Sequence, residues 1–131
     1  MYYAIILVFL IFSTSCTRNT VDGFDREVTL KVGQQTSVDR GNLLISLKEL
    51  AEDSRCPLGV VCIWAGNGAV VLKLQTADQV EVDVTLNTGL KPQKVIFEEY
   101  EIALKELEPY PVENVVVDPN DYKATLSIAK I

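Results

Sequence analysis

Residues 79–86 read QVEVDVTL, with Val80, Val82, Val84 and Leu86 at every second position. That period puts successive side chains on opposite faces of an extended chain, so the segment suits a half-buried strand and not a helix. The pattern recurs along the chain. Residues 26–32 (REVTLKV) place Val28, Leu30 and Val32 on one face, a short segment runs on to Val38, and residues 42–50 (NLLISLKEL) turn Leu43, Ile45 and Leu47 inward. Leu50 has the opposite parity, which predicts a bulge near Lys48 and Glu49. Residues 69–75 and 79–86 predict a hairpin joined through Thr76-Ala77-Asp78. Residues 94–97 and 99–107 follow, and Pro109-Tyr110-Pro111 stops the second of them. Residues 98–107 are rich in helix formers, but Tyr100, Ile102 and Leu104 alternate with charges, so a strand is expected. Residues 122–131 alternate Tyr122, Ala124, Leu126 and Ile128 with Lys123, Thr125 and Ser127. About seven short strands, with turn signals such as Asp39-Arg40-Gly41 and Asn87-Thr88-Gly89, predict an all-β fold. The expected architecture is an antiparallel β-sandwich, immunoglobulin-like or similar, formed by residues 26–131 as a single domain.

A chain of 131 residues has room for one modest core, and 48% hydrophobic with 23% charged residues is a globular composition. The formal net charge is −6 and the basic residues stand singly, so nucleic acid is not an expected partner. No stretch is both basic and helically amphipathic, which argues against adsorption to anionic lipid.

The first residues differ in kind. Residues 4–12 (AIILVFLIF) are unbroken apolar chain, followed by Ser13-Thr14-Ser15-Cys16. A membrane-crossing helix needs about 20 such residues. The shorter run suits the hydrophobic region of a secretory signal. Small residues ahead of Cys16 resemble the lipobox of bacterial lipoproteins, in which the cysteine is lipidated and becomes the new N-terminus; Ser13 stands where that motif usually has Leu. Residues 1–15 are thus expected to be a lipoprotein signal peptide, and residues 16–25 a lipidated cysteine with its tether. Plain secretion with cleavage near Ser15 and a cytoplasmic chain with an apolar start are the alternatives.

Of three cysteines, assigning Cys16 to lipid leaves Cys56 and Cys62 as a possible pair. A disulfide closing so short a loop would contribute about 2 kcal/mol on chain-entropy grounds. The pair sits in residues 53–66, DSRCPLGVVCIWAG. This D-S-R-C-P…C-x-W-x-G pattern resembles a family of small bacterial envelope proteins, mostly uncharacterised predicted lipoproteins. The resemblance implies an all-β secreted domain with a cysteine pair, and it brings no catalytic residue or substrate. Four readings of the segment stand side by side. A zinc site would need further ligands in a chain without histidine. Redox catalysis usually uses C-x-x-C at a helix start. A structural staple would use Pro57 and Gly59 to turn the loop and pack Trp64 against the disulfide or across the sandwich, with Asp53 and Arg55 pairing locally or bonding backbone amides. A recognition loop would offer Leu58, Val60, Val61 and Trp64, and a protease inhibitor would offer Leu58.

Without histidine there is no Ser-His-Asp or Cys-His arrangement. Carboxylates remain: Glu98, Glu99 and Glu101 cluster, as do Glu81 and Asp83, although outward acids on strands usually form a solvated face. Asp118, Asn120 and Asp121, with Glu113 nearby, are a weak calcium candidate without the EF-hand pattern. The same stretch, residues 118–124, has the spacing of an immunoglobulin tyrosine corner at Tyr122. The sequence therefore predicts a non-catalytic envelope lipoprotein without cofactor, a small binding or structural module held to a membrane by lipid. Its partner would be a protein or glycan. Inhibitor-like recognition through the Cys56–Cys62 loop and a carboxylate-dependent hydrolase are the alternatives.

Overall fold

The computed structural model describes residues 24–131. The expected signal peptide, Cys16 and the tether up to residue 23 lie outside the described residues. Eight strands run in order: β1 (Asp25–Lys31), β2 (Gln35–Val38), β3 (Leu43–Asp53), β4 (Gly68–Thr76), β5 (Glu81–Asn87), β6 (Lys94–Phe97), β7 (Tyr100–Glu108) and β8 (Lys123–Lys130). They form two four-stranded antiparallel sheets, ordered β1-β8-β7-β6 and β2-β3-β4-β5. The fold is the expected β-sandwich.

Alternation does what the sequence implies. Leu43, Ile45 and Leu47 of β3, Leu72 and Leu74 of β4, Ile102 of β7, and Leu126 and Ile128 of β8 are all fully buried between the sheets. Two register shifts, at Leu47/Glu49 and Leu50/Glu52, bend β3 and bring Leu50 back onto the core despite its parity. They also let β3 continue to Asp53, three residues past the expected end at Leu50. Val80 is the exception to the inward pattern. Gln79 takes a left-handed turn (φ 66°) and β5 starts only at Glu81, which leaves Val80 47% exposed.

Register sets the two ends apart. β1 starts beside the end of β8 (Asp25 opposite Ala129) and the Phe24 carbonyl accepts the Lys130 N–H at 2.9 Å, so the chain enters at the end where β7 begins (Tyr100 opposite Lys130). Residues 54–67, 88–93 and 109–122 connect strands at the opposite end.

Cutting Leu72 back to alanine should open a cavity between the sheets. Leu72→Ala is expected to cost about 2–5 kcal/mol in urea unfolding, with the slope unchanged.

Candidate functional site

The segment between β3 and β4 is a closed, two-stranded extension of the sheet. Ser54 N–H donates to the Asn67 carbonyl (2.8 Å), and Cys56 N–H donates to the Ala65 carbonyl (3.0 Å). Beyond these bonds the Cys56–Cys62 disulfide ties off the tip, with Cα atoms 5.9 Å apart. Gly66 makes the return possible. It has φ +74°, and a Cβ there would lie 1.8 Å from the Ser54 carbonyl oxygen, so no side chain fits. Asn67 is buried and fully used: its amide donates to Asn87 Oδ1 (2.9 Å), and its Oδ1 accepts from Gly89 N–H (3.0 Å) and Leu90 N–H (3.1 Å). The neighbouring loop is thereby fixed to the cystine loop.

Below the tip lies an ion pair under cover. Arg55 and Asp53 side chains are each only 7% exposed, and the guanidinium meets the carboxylate in a fork, Nε to Oδ1 at 2.7 Å and Nη2 to Oδ2 at 2.9 Å. The other guanidinium donors reach across the sandwich to the Leu107 carbonyl (2.7 Å) and the Pro109 carbonyl (2.9 Å). Arg55 also lies over the Tyr110 ring, 4.9 Å from its centroid. Tyr122 completes the set by donating its hydroxyl to Asp53 Oδ2 at 2.7 Å. Local pairing of Asp53 with Arg55 was legible in the sequence, and Asp53 also accepts a loop amide, the Arg55 N–H (3.4 Å); the guanidinium in addition reaches carbonyls across the sandwich. Tyr122 bonds the Asp53 side chain, where the tyrosine-corner reading has it bond upstream backbone. Burial pushes the Asp53 carboxyl up, but the bonds from Arg55 and Tyr122 outweigh that and hold it below the usual range. For Tyr122, burial and the Asp53 carboxylate both push the phenol up.

The tip stands away from this base. Val61 and Ile63 are fully exposed, Trp64 is 80% exposed, and Leu58 and Val60 are partly so. The expected packing of Trp64 against the disulfide or the sandwich is therefore corrected. That end is already filled by Arg55 and Leu107; a Cβ on Gly68 would meet Leu107 Cδ2 at 2.7 Å and Arg55 Nε at 3.2 Å. Leu58 is held differently from the rest: its N–H donates to the Pro111 carbonyl (2.9 Å) and its carbonyl accepts from Glu113 N–H (3.4 Å). Val112, Val115 and Val116 add exposed apolar surface on that connecting segment. Ile63 and these valines went unmarked in the sequence reading, although for Ile63 the signal was present: residues 56–69 contain no ionisable side chain other than the two cysteines.

The acidic candidates do not gather. Asp118 caps a short 3-10 turn by accepting Asn120 N–H (2.9 Å), and Asp121 pairs with Lys31 (3.4 Å). Among the described residues no three Asp, Glu, His or Cys side chains are placed to hold a metal ion. Glu81 pairs with Lys73 (2.8 Å), Asp83 with Lys48 (2.8 Å), Glu99 with Lys130 (3.4 Å) and Glu101 with Lys94 (3.5 Å). Glu106 and Glu108, exposed on β7, bond one another, and the bond to Glu108 holds the Glu106 carboxyl above its usual range.

Arg55→Met should leave the Asp53 carboxylate buried without its cation and should cost about 3–5 kcal/mol in chemical unfolding. Tyr122→Phe removes one hydrogen bond and is expected to cost about 1–3 kcal/mol. Because Asp53 is held lower in the folded chain than in the unfolded one, its contribution is complete above the unfolded carboxylate pKa of about 4. It is lost as pH falls through the lower folded value. Stability measured from neutral pH downward should therefore drop below about pH 4, and that drop should shrink in Asp53→Asn.

No protein-family model matches the chain, and comparison with curated proteins and with solved structures found no match either.

Proposed function

We propose that this chain is a non-catalytic envelope lipoprotein: Cys16 carries the lipid, the following residues tether the domain, and the sandwich binds through the tip of its Cys56–Cys62 loop. The observation that carries the reading is the contrast within that loop. Its base is locked by Arg55, Asp53 and Asn67, while Val61, Ile63 and Trp64 are held out in solvent at 101%, 92% and 80% exposure. Such side chains add nothing to the core, and a rigid loop lowers the entropy lost when a partner covers them. Apolar groups displayed this way are a contact surface.

The hydrolase alternative has the weaker footing. Glu81, Asp83, Glu99 and Glu101 are each paired with a lysine at the surface, whereas a glycosidase sets two carboxyls facing each other across the scissile bond. The inhibitor alternative offers Leu58, whose N–H and carbonyl are both already bonded to residues 111 and 113.

Two measurements test the proposal. The intact mass of protein taken from its native membrane should show cleavage before Cys16 with added acyl chains, and two further thiols released only by reductant. An uncleaved chain with three free thiols would overturn the envelope reading. A Val61→Ser/Ile63→Ser variant should unfold within about 0.5 kcal/mol of the parent, as surface changes do. A loss of the size expected for Leu72→Ala would place these side chains in the stability of the fold and remove them from recognition.

A further inference from the structure

We infer that the tip of the cystine loop is a bilayer-contact surface that enters the interface of a zwitterionic membrane. This rests on the envelope reading and names what the tip touches. Three observations favour lipid over a protein socket.

First, the tip offers almost nothing but apolar surface. Apart from its cysteines, which are joined to each other, residues 56–69 carry no ionisable side chain. Their one amide side chain, Asn67, is buried and spent on Asn87, Gly89 and Leu90. A specific protein interface of ordinary size carries about ten direct hydrogen bonds and is as polar as the rest of the surface. A bilayer interface asks only for apolar area, and it favours tryptophan, whose indole has an apolar body and one donor.

Second, the loop backbone is bonded within the protein up to Val60, while no backbone bond holds Val61, Cys62, Ile63 or Trp64, so the tip suits the hydrated interface, where water and headgroups take these groups, and not the hydrocarbon core. Cys56 N–H donates to Ala65, Val60 N–H to Pro57 and Leu58 N–H to Pro111, while the Leu58 carbonyl accepts from Glu113.

Third, the tether has the reach. Residues 16–24 span at most about 28 Å when extended. Phe24 lies at the end of the sandwich away from the tip, which extends past the strand ends, so the tip reaches the anchoring membrane when the long axis of the domain tilts toward it. A lipid at Cys16 therefore lets the domain turn until the tip meets the same membrane, giving two points of attachment. Charge restricts the lipid class. The chain carries −6 overall, and Glu113 lies beside the loop at Gly59, so anionic headgroups repel this approach.

Trp64 is the only tryptophan of the chain and reports on its own environment. The full-length processed protein would be reconstituted in phosphatidylcholine vesicles whose acyl chains carry bromine. Trp64 emission is expected to shift to the blue and to be quenched by the brominated chains. Ile63→Asp should remove both effects, raising the lipid needed for half-quenching by about tenfold or more. Replacing part of the phosphatidylcholine with phosphatidylglycerol should weaken quenching in the parent. Emission that stays water-like and unquenched, in protein whose mass shows acylated Cys16, would overturn bilayer contact while leaving the anchor intact. Emission that shifts only when an envelope protein fraction is added would overturn it in favour of a protein partner. A Cys16 without lipid would overturn the envelope reading beneath it, whatever Trp64 does.

Discussion

The fork between Arg55 and Asp53 is the contact on which the cystine-loop end of this sandwich depends. Two charges taken out of water cost several kcal/mol each unless they are paired and fully hydrogen-bonded. Here the carboxylate receives Arg55 and Tyr122, and the guanidinium spends its remaining reach on the Leu107 and Pro109 carbonyls. Among the described residues no buried side-chain nitrogen or oxygen lacks a partner. The pair also joins what the hydrophobic core leaves separate. Asp53 ends β3 in one sheet; Leu107 lies in β7, and Tyr122 immediately precedes β8, in the other. Leucines between the sheets resist their separation without fixing how the ends meet, whereas a bidentate charge pair has one geometry.

The opposite end repeats the device with different residues. Asp39, beyond β2, accepts from the Tyr100 hydroxyl and from Lys130 at 2.9 Å, so again a carboxylate at one sheet receives a tyrosine from the other, and here the cation comes from the other sheet too. Asp39 holds a left-handed backbone (φ 50°), and these two bonds help to offset the cost of about 1–3 kcal/mol. Burial together with the Asp39 carboxylate pushes the Tyr100 phenol up to about 12. Both aspartates are held below the usual carboxylate range, so acid weakens both ends in the same direction.

How far each feature was legible follows from the distance over which it is encoded. The inward faces of β3, β7 and β8 came from alternation, and even the β3 bulge was announced by the parity of Leu50. Residues 35–38 looked like a mere connection because four residues carry too little pattern; they are a strand because β3 offers them an edge. Asp53 and Arg55 stand two positions apart, so their pairing could be anticipated. Tyr122 is 69 residues from Asp53 and Leu107 is 52 from Arg55, and no local pattern encodes either meeting. Trp64 was misplaced for a related reason. A lone indole beside a disulfide suggests packing, and only the fold shows Trp64 standing out in solvent, with Arg55 and Leu107 filling the space over Gly68.

That occupancy has a consequence for what selection on this loop can be about. If Trp64, Ile63 and Val61 filled the sandwich, their apolar character would follow from stability, as it does for Leu72 or Ile102. They fill nothing, and in water each exposed apolar side chain is a liability for association. The base beneath them is the costly part of the structure, with two buried charges, a glycine that admits no side chain and an amide with every bond assigned. A staple that served only to close β3 onto β4 would be complete at the Ser54–Asn67 and Cys56–Ala65 bonds, and the residues beyond could be polar at no loss to the fold. That they are apolar and uncharged is therefore not set by the closure of β3 onto β4.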